Sequence, residues 1–240
     1  MPGRQAPPAY GVARRGYCAD VTGFDIAVLD VDGTLVDSNY HHTRAWQRAF
    51  REVGLAVPAW RIHRSIGMGG DRLVSAVAGE SVEHAHGDRL RATWKRELDG
   101  VIHEIAALEG ATDLLDELRH RGLKIVLASS GDPDHLEHAL DVVDARPRID
   151  GVVSSKDVKA TKPSPDLLSA AVDSVGGASA VVIGDTVWDA EAARRAGLRA
   201  VGVLTGGFSR DELLDAGAAE VYADLPDLVE DLDVVLTPGA

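Results

Sequence analysis

Two aspartates, Asp30 and Asp32, close an apolar run and are followed at once by a glycine and a hydroxyl: Phe24-Asp25-Ile26-Ala27-Val28-Leu29, then Asp30-Val31-Asp32-Gly33-Thr34-Leu35. Alternate residues of a strand point the same way. A turn beginning at Gly33 lets both carboxylates reach the space beyond the strand's carboxyl end, where open α/β sheets place their ligands. Carboxylates this close repel one another unless a cation or a shared proton relieves them. Metal binding or acid–base chemistry is the functional reading; an Asp-rich β-turn of structural use is the alternative.

Three further stretches carry groups of the same kind. Leu127-Ala128 leads into Ser129-Ser130-Gly131, and Asp132-Pro133 then starts a helix. A hydroxyl beside backbone N–H groups at a helix entrance is a ready anion site, or else an ordinary turn with an N-cap. Thr161-Lys162-Pro163-Ser164-Pro165 sets a lysine before a proline-started helix. Pro163 stiffens the backbone that aims Lys162, although a loop lysine is otherwise a solvated charge. Val181-Val182-Ile183-Gly184-Asp185 ends a second apolar run in an acid, and Asp189 follows one helical turn on. Together with Asp30 and Asp32, these acids make an oxygen-rich pocket suited to the hard cation Mg²⁺.

The elements that must position these groups alternate. Apolar, β-type runs fall at residues 25–29, 123–128, 151–153, 180–184, 200–203 and 220–222. Helical segments lie between them. Residues 112–120 carry Leu114, Leu115 and Leu118 on one face and end before Gly122. Ser164-Pro165 reads as an N-cap with proline at the first helical position, and Gly176 closes that helix. Residues 191–196 stop at Gly197, and Ser209-Arg210-Asp211-Glu212 is a capping box ahead of Leu213-Leu214. Nearly continuous apolar strands alternating with helices predict an α/β fold, a Rossmann-like parallel sheet with helices on both faces.

One interval breaks that rhythm. Residues 39–107 contain helical periodicity only: Trp46, Phe50 and Val53 at i, i+4, i+7, Leu73 with Val77, and Leu90, Trp94 and Leu98. Placed directly after the acidic turn, this interval is expected to be an α-helical cap over the site; helices packed on the sheet edge are the alternative. The organisation expected is a disordered N-terminal tail at 1–23, a catalytic core at 24–38 and 108–240, and the cap at 39–107.

Composition narrows the function classes. The 240 residues are 45% hydrophobic, enough for a buried core, with a formal net charge of −13. The tail's arginines, Arg4, Arg14 and Arg15, leave the remainder more acidic still. Such a balance argues against broad affinity for nucleic acid or anionic membranes. No run approaches the roughly 18 apolar residues of a membrane span, and the first residues lack the apolar segment of a secretory signal. The only cysteine, Cys18, lies in the tail, so an internal disulfide and a thiolate metal cluster are both excluded. A reducing cytoplasm is the natural compartment, with a small phosphorylated metabolite as partner and a monomer or homodimer as the assembly.

In order along the chain, Asp30-x-Asp32-Gly33-Thr34, Ser129 after an apolar run, Lys162-Pro163 and Gly184-Asp185…Asp189 resemble the four motifs of the haloacid dehalogenase-like hydrolase superfamily. The resemblance covers about residues 24–225, and the helical interval resembles that superfamily's type 1 cap. It implies that Asp30 is a nucleophile forming an aspartyl-phosphate. Asp32 would protonate the leaving alkoxide and then deprotonate water, which calls for a raised carboxyl pKa supplied by burial and nearby negative charge. Mg²⁺ would be held by Asp30, the backbone carbonyl of Asp32, Asp185 and Asp189, the last as ligand or behind the ligands. Lys162, Ser129 and the N–H of Ser130 would hold the phosphoryl oxygens. The superfamily's dehalogenases lack the second aspartate, so Asp32 points to phosphoryl transfer.

The segment Asp37-Ser38-Asn39-Tyr40-His41-His42-Thr43-Arg44-Ala45-Trp46 is similar to the hinge and first cap helix of the phosphoglycolate phosphatase and β-phosphoglucomutase branch. His42 falls where the mutase has a histidine associated with cap closure. The corresponding cap loop reads Ile66-Gly67-Met68-Gly69-Gly70, without the mutase's lysine and arginine. Arg64 and Arg72 flank it, as recognition groups for a carboxylate or second phosphate or as solvent-facing charges. Trp188 is expected in the core, and His84, His86, His135 and His138 on the surface. The function expected is a Mg²⁺-dependent phosphatase for small phosphomonoesters such as phosphoglycolate or a sugar phosphate. A phosphosugar mutase and a non-catalytic binding or regulatory protein are the alternatives.

Overall fold

Six apolar runs become the strands of one sheet. The computed structural model describes residues 23–237, so the tail with Cys18 lies outside the described residues. The strands are β1 Ile26–Leu29, β2 Lys124–Ala128, β3 Gly151–Val153, β4 Ala180–Gly184, β5 Arg199–Val203 and β6 Ala218–Tyr222. They lie in the order β3-β2-β1-β4-β5-β6, every pairing parallel. The order reverses between β1 and β4, the switch point at which such sheets open a crevice at their carboxyl ends. The expected α/β, Rossmann-like architecture is the one observed.

Between β1 and β2 run the helices α1 Asn39–Glu52, α2 Ala59–His63, α3 Gly70–Ala78, α4 Glu80–Asp99 and α5 Ala111–His120. The remaining crossovers are α6 Pro133–Val143, α7 Asp166–Val175, α8 Val187–Ala196 and α9 Arg210–Ala216. Two short helices, α10 Leu225–Glu230 and α11 Leu232–Val235, follow β6. No helix of the described residues is long and apolar enough to cross a membrane.

Strand alternation sends Ile26 and Val28 to one face of the sheet and Ala27 and Leu29 to the other, and both faces are buried. Ile26 and Val28 pack with Leu167, Leu168, Ala192 and Ala193 of α7 and α8. Ala27 and Leu29 share a core with Leu114, Leu115 and Leu118 of α5 and with Leu225 and Leu228 of α10. That second core runs on without a break into Trp46 and Phe50 of α1 and Leu90, Trp94 and Leu98 of α4. The indoles of Trp46 and Trp94 stack with centroids 5.1 Å apart. The helices of the 39–107 interval therefore have an apolar interior of their own, joined to the sheet's.

The chain leaves and re-enters the sheet region through paired segments: the Asp37 N–H donates to the Ala106 carbonyl at 2.9 Å, and the Leu108 N–H to the Leu35 carbonyl at 2.9 Å. Several local expectations shift. α7 begins at Asp166 with Pro165 as its N-cap, and Ser164 Oγ instead donates to Asp166 Oδ1 at 2.8 Å. α8 starts four residues earlier than expected, at Val187, because Thr186 and Asp189 form a capping box there. Val53 lies just past the end of α1.

Leu115 is fully buried between α5 and the sheet. Leu115→Ala is expected to lower the unfolding free energy by about 2–5 kcal/mol, read as a lower urea midpoint at an unchanged slope.

Candidate active site

The carboxyl ends of β1 and β4 bring three carboxylates together. One oxygen from each of Asp30, Asp185 and Asp189 lies within 4.8 Å of the others, and all three residues are buried. Lys162, only 1% exposed, reaches into this cluster from the loop before α7. Its Nζ donates to Asp30 Oδ1 and to the Ala128 carbonyl at 3.0 Å, and pairs with Asp189 Oδ1 at 2.7 Å. The Lys162–Pro163 peptide is cis. Burial alone would lower the lysine's pKa; the Asp189 and Asp30 charges outweigh it and raise it.

One lysine does not neutralise three carboxylates. Burial pushes the Asp30 carboxyl up to about 7, with Lys162 pulling it down and Asp189 and Asp32 pushing it further up. Asp185 is raised as well, by burial and then by Asp30 and Asp189, against hydrogen bonds from Thr34 and Asn39. Asp30 Oδ2 is buried with no hydrogen-bond partner among the described residues. Crowded carboxylates with an unpartnered oxygen are the donor set of a hard divalent cation, so the residues present fit Mg²⁺.

Asp32 sits apart from this cluster and is bound differently. Its Oδ1 accepts from Ser38 Oγ at 2.7 Å and lies 3.0 Å from His42 Nε2; its Oδ2 accepts from Ser129 Oγ at 3.3 Å. Burial would raise this carboxyl, but the electrostatic pull of the His42 ring and its hydrogen bond, with that of Ser38, outweigh burial and hold it below the usual range. This corrects the expectation of a raised pKa at Asp32: the sequence placed acids near it but did not reveal a histidine within bonding distance. The His42 ring in turn stacks on Trp94 at 5.6 Å.

Gly33 explains how the turn accommodates both groups. It has φ +85°, a left-handed conformation that favours glycine, and a Cβ there would fall 2.2 Å from Asn39 Nδ2 and 2.3 Å from Asp185 Oδ2. Through that gap Asn39 Nδ2 donates to Asp185 Oδ2 at 2.8 Å, while Thr34 Oγ1 donates to Asp185 Oδ1 at 2.8 Å. Asp189 Oδ2 accepts from Thr186 Oγ1 and from the Thr186 N–H, which completes the α8 cap and turns Oδ1 toward Lys162. Sequence reading assigned no role to Asn39, Ser38 or Thr186. Their signal lay in position alone: polar residues at the first turn of a helix that follows a strand-end acid.

Other expectations are redistributed. Ser129 closes β2 and accepts from the Gly131 N–H at 3.0 Å, and Ser130 Oγ is buried without a partner among the described residues. Arg64 is not brought to the site: its guanidinium pairs with Glu212 and lies 4.1 Å over the Phe208 ring, so the charge is taken up by α9. Arg72 is partly buried and its Nε lies 3.9 Å from Asp71. His84 and His86 are exposed as expected. His135 is buried, Nε2 2.7 Å from Asp99 and edge-on to Trp94, because α6 packs beneath α4. Trp188 is only partly buried and belongs to neither apolar cluster, so it is not a core residue.

A cavity of about 40 Å³ lies over Asp30, Asp32, His42 and Ser130, roofed by residues of the helical interval. It adjoins a cleft of about 430 Å³ that shares Gly70, Trp94, Ser130 and Gly131 with it. Gly67, with φ +96°, lets the 66–70 loop descend to Thr186, whose Oγ1 would be 2.7 Å from a Cβ there. Thr161, next to Lys162, accepts from the Gly69 N–H at 3.1 Å and donates to Asp71 Oδ1.

The model of a family described as haloacid dehalogenase-like hydrolase matches residues 24–197, well over half of the chain. The chain belongs to that family. Similar to it are a validoxylamine A 7'-phosphate phosphatase of Streptomyces hygroscopicus subsp. limoneus, 27% identical over 90% of this chain and 97% of that protein, and a phosphoglycolate phosphatase of Caulobacter vibrioides, 29% identical over 86% and 91%. Among solved structures, a hydrolase from Pseudomonas syringae is 37% identical with a TM-score of 0.83, covering 87% of this chain and 98% of that one. Family membership makes the chain a hydrolase, and the switch point of the sheet is where its polar groups converge.

A methyl group at Gly33 would meet Asn39 and Asp185 and displace the turn. Gly33→Ala is expected to lower hydrolase turnover about 100-fold, the scale on which a misplacement near 1 Å acts, with far-UV circular dichroism unchanged.

Proposed function

We propose that this hydrolase is a Mg²⁺-dependent phosphatase of small phosphomonoesters that works through an aspartyl-phosphate on Asp30. The observation that carries the reading is the Asp30 carboxylate itself: buried, gripped on one oxygen by Lys162, unpartnered on the other, and lining a cavity. Two phosphatases among the chain's relatives favour phosphate esters over other hydrolysable groups. In this reading the 39–107 helices are a cap and residues 24–38 and 108–240 the catalytic core.

Asp30 attacks phosphorus and the ester bond breaks. Splitting one displacement into two lowers each barrier. Lys162 and Ser129, with the N–H of Ser130, hold phosphoryl oxygens as charge spreads over them. The negative charge of the bound ester beside Asp32 opposes the pull of Ser38 and His42 and draws a proton from solvent onto its carboxyl. Asp32 gives that proton to the departing alkoxide, takes one from water in the second step, and that water releases inorganic phosphate from Asp30. Ser38 and His42 fix Asp32 through Oδ1 and leave Oδ2, with its single long bond from Ser129, as the freer oxygen for proton transfer. Asp30 and Asp185 would hold Mg²⁺, with the Asp32 carbonyl completing the set. Asp189 stands behind the ligands, since Thr186 and Lys162 already occupy its oxygens. When bound, the ion neutralises the acid cluster and orients the phosphate for in-line attack.

Asp30→Asn removes the nucleophile while keeping its volume. It is expected to abolish phosphate release from p-nitrophenyl phosphate with the fold intact by circular dichroism; retained turnover overturns the reading. Chelation by EDTA is expected to abolish release from the unmodified chain and added Mg²⁺ to restore it.

A further inference from the structure

The cavity over Asp30 carries its own information about the leaving group. Apart from the acids, His42 and Ser130 at its floor, its walls are Trp46, Ile66, Met68, Leu73 and Trp94 with backbone at glycines. Among the described residues, no lysine or arginine side chain lines it. Trp46, Leu73 and Trp94 are buried, so a group entering there loses its water.

Most of the cations nearby are committed elsewhere. Lys162 holds Asp30 and Asp189. Arg64 is on Glu212 and Phe208. Arg91, in the adjoining cleft, donates from Nη1 to Glu83 and the Gly70 carbonyl and from Nη2 to Asp88. Lys95 bridges Asp132 and Asp134 at 2.8 and 3.0 Å. Lys159, also in that cleft, is exposed. His42 directs Nε2 to Asp32, so any charge on its ring is already balanced.

We propose that the site selects phosphomonoesters whose leaving group is uncharged beside the ester oxygen, and that Trp46, Met68, Leu73 and Trp94 determine this choice. The inference rests on the phosphatase reading and sharpens it. A carboxylate or second phosphate two atoms from the ester would be stripped of water against indole and alkyl groups, with no cation in the cavity wall among the described residues to receive it. An alkyl or hydroxylated chain meets no such penalty. Its far end reaches the 430 Å³ cleft, where Asp71, Ser155 and Thr161 supply donors and acceptors suited to hydroxyls. An apolar wall discriminates modestly by size but strongly against unpaired charge.

The test compares phosphoglycolate with 2-hydroxyethyl phosphate, esters of equal length in which a carboxylate replaces a hydroxymethyl group. The unmodified chain with Mg²⁺ is expected to show a kcat/KM at least about tenfold higher for the neutral ester. Met68 is a partly exposed wall residue. Met68→Arg is expected to raise kcat/KM for phosphoglycolate about tenfold, and Met68→Leu to keep the original preference. Equal or better use of phosphoglycolate by the unmodified chain overturns this inference and leaves the phosphatase reading standing. Met68→Arg that turns over the neutral ester but gains nothing on phosphoglycolate overturns the assignment of the wall. Absence of phosphate release from both esters and from p-nitrophenyl phosphate overturns the phosphatase reading and the inference with it.

Discussion

Three buried carboxylates facing one buried lysine are the constraint on which the rest of this structure depends. Asp30, Asp185 and Asp189 would repel one another out of the fold if each were not tied down separately. Lys162 takes Asp30 and Asp189, Thr34 and Asn39 take Asp185, and Thr186 takes the second oxygen of Asp189. Each tie comes from a different segment, so the cluster exists only in the assembled sheet. The charge left over is what fits the cluster to a cation and not merely to a knot of salt bridges. A fully neutralised network would have no use for a divalent ion.

The start of α1 is the point where the sheet and the helical interval are made mutually dependent. Ser38 and His42 hold Asp32, and Asn39 between them holds Asp185. Three residues of one helical turn thus serve two acids that stand on two different strand ends. The α1 helix continues into Trp46 and Phe50, which pack on α4 and share the sheet's larger core. Displacing the helical interval would therefore pull on Asp32 and on Asp185 together. Loop 66–70, lying on Thr186 and Thr161, repeats the arrangement on the other side.

How much of this is legible in the sequence follows from range. Strand ends are local events: an apolar run stopping at an acid, a serine or a glycine marks Asp30, Ser129 and Asp185, and the parallel sheet follows from such runs alternating with helices. Lys162 is less visible, since its immersion depends on where the α7 loop folds back. The hydrogen bond from Asn39 to Asp185 spans 146 positions, and no periodicity announces it. The same holds for Arg64, whose proximity to the glycine loop in sequence suggested a ligand but whose partner, Glu212, lies 148 positions away on α9. His135 is misjudged for a related reason. A histidine in a polar helix face is ordinarily exposed, and only the arrival of Trp94 and Asp99 from α4 buries it. Local pattern thus names the chemistry, while long-range pairing decides which charges remain free to meet a substrate.

That last distinction decides how a chain of net charge −13 can accommodate an anion at all. The overall field opposes a phosphate ester's approach, so on the proposed reading attraction is concentrated at Lys162, the backbone donors near Ser130 and the cation that the acids would hold. Extending that attraction outward would require arginines or lysines free of acidic partners. Across the cavity and its cleft the charged ends of Arg91 and Lys95 are instead paired with glutamate and aspartate. Within the cavity positive potential is thereby confined to one phosphate's width, and beyond it the walls are indole, thioether and leucine, with the exposed Lys159 only at the outer cleft. On that reading the phosphoryl group is held by charge, and whatever it is attached to is sorted by shape and neutrality.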